Sequence, residues 1–497
     1  MWMSSVAFPL GPESGDARHD GGHEEFRMRR TRPLFAVLSV LAGAGLACGG
    51  GSSTPSAQAP TSIPAPTSAA PSSPVANEAG PRSCLYDPAA DVEPPVVAGP
   101  RGTPTPFPTP TIPAGGPVDP EAKAQQLGAF EGLWNAVNDN YVDPGFNGRD
   151  WAAIGDRYEV LIEGGLSDEA FYALLQSMLN ELGDGHSYFQ SSAVVAEDER
   201  AAAGQLDFVG IGALFLPTSE ERAAVISVFP GSPAAAAGLL PHDTLIAVDG
   251  GPIRYENGVS RTRGPEGTTV SLTVQSPGEA PREMTVNRAR VTGGFPIDAC
   301  LVPGTRIGYA LLPTFLDETI DDRLREALTG MTADGPLDGL ILDNRMNGGG
   351  LGSVAEATLG MFLGGPQGAF VTRTTREEFV VEAEDVGGSQ AVPLVILIGP
   401  DTVSYGEVVS GILQLSGRAT LVGQPTLGNV EQLRRNDFED GSRAWIASAT
   451  FEPIGLPAGI WEDTGIIPEV LVSGTWDEFS EANDPGLAAA VEILLAR

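Results

Sequence analysis

The spacing of apolar and polar residues changes character along the chain. Between 119 and 189 it is helical. In AFEGLWNAVNDNYV, Phe130, Trp134, Val137 and Tyr141 recur at intervals of three and four, which puts them on one helix face. In SDEAFYALLQSMLNELGDGHSYF, Ser167 reads as an N-cap, with Leu174, Leu175, Met178, Leu179 and Leu182 as one stripe and Gly183 as the stop. From 206 to 291 the apolar runs are short and separated by turns. FVGIGALFL, RAAVISVF, TLIAVDG and TTVSLTVQ each predict a strand, and PGSPAAAAGLLPHD predicts a short Ser-capped helix closed by Gly238. From Ile307 onward, RIGYALLPTF, LDGLILDNR, PLVILIG and RATLVG predict sheet strands. They alternate with helical patterns near 318–330, 351–363 and 404–415. That alternation predicts an α/β core.

The first 118 residues follow none of these periods. From Met28, MRRTRPLFAVLSVLAGAGLAC has a basic start, an apolar stretch and small residues before Cys48, the order of an export signal. Cys48 followed by GGGSS is a candidate lipidation site; secretion after cleavage and an uncleaved anchor are the alternatives. Residues 49–118 are rich in Pro, Ser, Thr, Ala and Gly and bury too little apolar surface to offset their ordering entropy. They read as a disordered tether. The division expected is therefore leader 1–48, tether 49–118, helical segment 119–205, β-rich domain 206–291 and core 292–497, in an extracytoplasmic protein of the cell envelope.

Composition narrows the chemistry. The 497 residues carry a net charge of −35, which excludes the basic surfaces that nucleic acids require. There is no zinc-type Cys/His spacing, no phosphate-binding GxxxxGK[ST] and no sign of a cofactor or metal. Lys123 is the single lysine, and the four histidines are His19, His23, His186 and His242. If Cys48 is lipidated, Cys84 and Cys300 remain and could pair in an oxidising compartment.

In LVILIGPDTVSYGEVVSG an apolar run stops at Gly399-Pro400, and Ser404 stands where a helical pattern starts. Glu407, three residues later, would complete a capping box, so Ser404 can be a plain N-cap. It can also be a nucleophile, because a helix N-terminus offers unpaired N–H groups to developing negative charge.

The order of helical segment, β-rich insert and α/β core resembles the carboxy-terminal processing (tail-specific) serine proteases. Core motifs are LILDNRMNGGG (340–350), TVSYGEVVSGILQ (402–414) and EDTGIIPEV (462–470). The insert resembles a PDZ domain through VGIGALF (209–215), GSPAAAAGL (231–239), DTLIAVDG (243–250) and RGPEGTTVSLTV (263–274). The resemblance implies a mixed β-sheet with flanking helices, of the ClpP/crotonase kind, and a protease using Ser404 as nucleophile. Many relatives carry a lysine base where this chain has Asn429, and Lys123 lies ahead of the first core helix. The resemblance therefore points to the branch with a Ser–His–Glu site like that of the tricorn core. His186 in LGDGHSYF is the implied base. The implied orienting carboxylate is Glu462, with Asp463 as competitor. Gly349, Gly350 and the N–H of Tyr405 are the implied oxyanion donors, and Asp343, Arg345 and Asn347 are expected to shape their loop. Val209, Gly210, Ile211, Gly212 and Ala213 would bind a peptide carboxylate, with Pro233, Leu239 and Leu240 bordering a side-chain pocket for apolar free C-termini. His242 is expected to be exposed in a PDZ turn. The expected partners are protein or peptide substrates, and the membrane through the lipid anchor. The competing reading is an inactive adaptor that only binds peptides. Oligomeric state, natural substrate and the regulatory sign of the insert are not written in the sequence.

Overall fold

The computed structural model describes residues 82–87, 119–202, 206–219, 222–254, 260–462 and 464–497. The export signal, Cys48, nearly all of the tether, and Asp463 lie outside the described residues. Among those described, no helix is long and apolar enough to cross a membrane.

The core is built on a seven-stranded sheet in the order Arg82–Ser83, Ala299–Leu301, Ile307–Leu311, Gly339–Asp343, Leu394–Ile398, Ala419–Gly423, Val470–Leu471. From Ile307–Leu311 onward every pairing is parallel. Three of these strands, IGYAL, GLILD and LVILI, are buried at every position. Helices cover both faces of such strands, so they read as continuous apolar runs rather than alternating ones. The predicted helices lie at Ile320–Thr332, Gly352–Gly360 and Tyr405–Leu415.

A second sheet escaped the sequence reading. Arg376–Val381, Gly365–Val371, Arg443–Pro453 and Gln432–Asp437 pair antiparallel, and Tyr188–Gln190 joins the Arg443–Pro453 strand. Two helices, Ser192–Ala202 and Pro485–Leu495, were also unread. The second sheet matters for the site, because it receives the helical segment. Helices Pro120–Asn140, Trp151–Glu163 and Asp168–Asn180 pack their apolar stripes on Ala444, Ile446 and Ala447.

Between helical segment and core stands a five-stranded antiparallel sheet, Ala213–Ser219, Arg222–Val228, Thr244–Val248, Thr269–Gln275 and Arg282–Asn287, with the short helix Pro233–Ala237. Its entry and exit strands, Leu206–Gly210 and Ala289–Gly293, pair with each other. This unit docks on the core: the Trp476 indole donates to the Val225 carbonyl at 2.9 Å, and Thr244 donates to Asp477 at 3.1 Å. His242 belongs to this contact. Its expected exposure is corrected, since the ring is buried, stacks on Trp476 at 3.9 Å and bonds the Trp476 carbonyl through Nδ1 at 2.8 Å. Turn chemistry predicts exposure; a domain contact overrides it.

Cys84 and Cys300 form a disulfide. It fastens the short strand Arg82–Ser83, which runs parallel to Ala299–Leu301, to the edge of the central sheet.

Candidate active site

Ser404 lies at the turn from the buried strand Leu394–Ile398 into the helix Tyr405–Leu415. Its backbone is at φ 56, ψ −126, a region that non-glycine residues avoid and that functional turns hold under strain. The surroundings fix that conformation. The Ser404 N–H donates to the Asn429 carbonyl at 2.8 Å, and the Val403 N–H to the Asn347 carbonyl at 3.0 Å. Thr402 bonds both the Gly399 N–H and the Asn344 carbonyl. Asn344 donates to the Gly406 carbonyl and to Ser410. The two loops are thereby stitched together on either side of the serine.

Glu407 occupies the capping-box position and accepts from the Ser404 N–H at 3.2 Å. It does more than cap. Its fully buried carboxylate also accepts from Thr426 Oγ1, the Gly428 N–H and the Asn429 N–H. Burial pushes its pKa up, against the pull of those donors. The loop 426–429, which holds the lysine in many relatives, is thus anchored to the first turn of the serine helix.

Gly349 packs directly on the serine. A Cβ there would stand 2.7 Å from the Ser404 Cβ, and its φ is +85, so only glycine fits. The Gly349 N–H donates to Asn347 Oδ1 at 2.9 Å. It is therefore engaged within its own loop. Gly350 bridges in parallel to Phe315, and Tyr405 contributes the first N–H of the helix.

His186 arrives from another part of the chain. The loop after Asp168–Asn180 turns through Gly183 and Gly185, both at positive φ. Asp184 accepts from the His186 and Ser187 N–H groups and from the Ser187 hydroxyl, and Ser187 accepts from the Ala447 N–H. This ties the loop to the second sheet. The imidazole is buried, with Nε2 2.8 Å from Glu462 Oε1. Glu462 is held from its other oxygen by the Val430 N–H at 3.1 Å. On the opposite edge of the ring, Nδ1 is buried without a hydrogen-bond partner, 3.7 Å from Glu431 Oε2. Burial alone would lower the His186 pKa. Glu462, with Glu431 and Asp184, outweighs it and holds the pKa above the ordinary histidine value.

Of the residues singled out from sequence, the structure brings together Ser404 with Gly349, and His186 with Glu462. It does not join Ser404 to His186 by a hydrogen bond. One peptide unit links the two halves: the carbonyl of Asn429 accepts from Ser404, and the N–H of Val430 donates to Glu462. Lys123 lies in the first turn of Pro120–Asn140. Asp343 and Arg345 form a buried cluster with Asp484. Sequence reasoning missed Glu431, one residue past the loop 426–430, because nothing in VEQ distinguishes it from a solvated acid.

Two family models match the chain. Residues 306–472 match peptidase family S41, and residues 121–180 match the tricorn protease C1 domain. The core of the chain carries a peptidase family S41 domain. It is a serine-type peptidase. The S41 match spans five of the seven strands of the central sheet, from Ile307 to Leu471, with Ser404 and Glu462, and the C1 match covers the helices that precede His186. Among characterised relatives, a carboxyl-terminal-processing protease of Synechocystis sp. is 29% identical over 374 residues, which cover 73% of this chain and 85% of the relative. A chloroplastic C-terminal processing peptidase of Tetradesmus obliquus is 28% identical over 368 residues, covering 69% and 77%. The solved photosystem II D1 C-terminal processing protease is 26% identical, with a TM-score of 0.51, covering 74% of this chain and 97% of that one.

Proposed function

We propose that this S41 peptidase is an extracytoplasmic endopeptidase that processes protein substrates near their C-termini, with Ser404 as nucleophile, His186 as general base and Glu462 as the carboxylate that orients it. The observation that carries the reading is the 2.8 Å contact between His186 Nε2 and Glu462 Oε1. A carboxylate at Nε2 keeps the proton of the neutral ring there and leaves a lone pair on Nδ1. Nδ1 is therefore the nitrogen assigned to take the Ser404 proton. The Ser–Lys alternative has no support, since Asn429 replaces the lysine and contributes its backbone to both Ser404 and Glu462. The hydroxyl and Nδ1 come into contact when substrate engages, as catalytic hydrogen bonds often tighten only in the complex. Gly350 and Tyr405 supply the oxyanion N–H groups, because the Gly349 N–H is taken.

The antiparallel unit is read as a PDZ-like domain. Its groove, of about 380 Å³, runs beside Ile211, Gly212 and Ala213, with Phe208, Phe215, Phe229 and Phe295 along it. Gly212 is at φ +80, and a Cβ there would meet the Ser232 Cβ at 2.4 Å, so the loop requires glycine. The groove supports capture of apolar C-terminal side chains. Its position corrects one expectation: Leu239 lies in the core of the unit and Leu240 is exposed, and neither they nor Pro233 line it. The disulfide supports an oxidising, extracytoplasmic compartment. The inactive-adaptor alternative is disfavoured by the peptidase match.

A fluorophosphonate probe tests the assignment. Wild type should label, Ser404→Ala should not, and His186→Ala should label much more slowly. Labelling that persists in Ser404→Ala rules the nucleophile out.

A further inference from the structure

The catalytic reading leaves Glu431 unused. Nδ1 of His186 is buried and unpartnered, its side chain only 3% exposed, and Glu431 Oε2 stands 3.7 Å from it. That is too long for a hydrogen bond. It is close to another distance. Two donors on a tetrahedral zinc, each bonded at about 2.0–2.1 Å, lie about 3.4 Å apart. A shift of a few tenths of an ångström would let one ion bridge the ring and the carboxylate. A ring nitrogen and one oxygen from each of Glu431 and Glu462 all lie within 4.8 Å of one another. Glu462 also holds the far edge of the imidazole, and metal-binding histidines are commonly oriented by a carboxylate in that way.

We propose that His186 Nδ1 and Glu431 bind a divalent transition-metal ion of the zinc class, with Glu462 positioning the ring, and that the bound ion switches the peptidase off. The inhibition rests on the catalytic reading above, because the ion occupies the nitrogen assigned to the Ser404 proton. The binding does not rest on it. One nitrogen with carboxylate oxygens favours Zn²⁺ over Mg²⁺ or Ca²⁺, which take oxygen ligands. Glu431 and Glu462 keep 12% and 19% side-chain exposure, so the ion enters from their side. Waters fill the remaining positions.

The test uses the full chain with Ser404→Ala, and with His19 and His23 replaced by alanine to remove competing ligands. After treatment with chelator, Zn²⁺ is titrated by calorimetry and Co²⁺ by visible absorption. One equivalent of Zn²⁺ should bind, and Co²⁺ should give d–d bands. Glu431→Gln should weaken Zn²⁺ binding by about ten-fold or more, and Glu431→Ala should do the same, with circular dichroism showing that both variants fold. In the chain that retains Ser404, Zn²⁺ should block fluorophosphonate labelling and chelator should restore it. Glu431→Gln should raise the half-inhibitory Zn²⁺ concentration by a similar factor, relative to its own metal-free rate. No binding at millimolar Zn²⁺, or binding indifferent to both Glu431 variants, overturns the proposal. If Ser404→Ala still cleaves substrate while Zn²⁺ binding responds to Glu431, the catalytic reading fails and the metal site stands.

Discussion

His186 and His242 are equally buried, at 6% and 5% exposure, and behave oppositely. His186 lies against Glu462, with Glu431 and Asp184 nearby, and its pKa is raised. His242 is stacked on Trp476 and bonded to a backbone carbonyl. Burial lowers its pKa, Arg345 adds to that, and Asp484 and Asp343 oppose without prevailing. Burial penalises charge in both places. The Glu462 carboxylate, within hydrogen-bond reach of one ring and with no counterpart at the other, decides the sign. The first ring is equipped to exchange a proton, and the second to hold an interface.

The largest test of that contrast is kinetic. His186→Ala should lower kcat/KM by about 10³-fold or more, as loss of a general base does in hydrolases of this kind. His242→Ala should leave turnover far less affected and instead destabilise the docked unit, by about 1–3 kcal/mol for the lost stacking and hydrogen bond. Peptidase assays and urea unfolding of both variants separate the two. Equal losses of turnover would erase the distinction.

The pH dependence sharpens it. His186 has a folded pKa above its unfolded value, so its contribution to stability is complete below about pH 6.5 and fades as pH rises through the folded pKa. On the proposed reading, in which the neutral ring is the base, activity should rise over that same interval in chelator-treated enzyme. His242 has a folded pKa below its unfolded value. Its contribution is complete above about pH 6.5 and is lost as pH falls through the folded pKa. Unfolding free energies of His186→Gln and His242→Gln, measured against wild type from acid to neutral pH, should therefore diverge with opposite slopes. Parallel slopes would contradict the two environments.

The smallest effect concerns the serine turn, at φ 56. Ser404→Gly should be more stable than Ser404→Ala by about 1 kcal/mol, because glycine accepts the positive φ. A less stable glycine variant would mean that the turn is unstrained.

The legibility of these features follows from how local each one is. Strands Ile307–Leu311, Gly339–Asp343 and Leu394–Ile398 announce themselves, because burial on both faces demands continuous apolar runs. The helix after Ser404 does so through its period and its capping glutamate. The second sheet does not: strands such as REEFVV and QLRRND have exposed, charged faces and carry little periodic signal. His186 and Glu462 were singled out through a family pattern. Nothing local distinguishes Glu431, or brings the Asn429–Val430 peptide to a position between Ser404 and Glu462.

By itself the sequence determined the alternation that makes an α/β core, the serine at a strand-to-helix turn, and the scarcity of lysines and histidines that narrows the choice of a base. These follow from residue type and spacing, which act over a few positions. Only the tertiary structure decided which histidine meets carboxylates and which meets an indole. It also decided that the Gly349 N–H is already engaged and that Glu431 faces the bare ring nitrogen. Proton affinity depends on charges and dipoles within a few ångströms, and here those come from segments hundreds of residues apart.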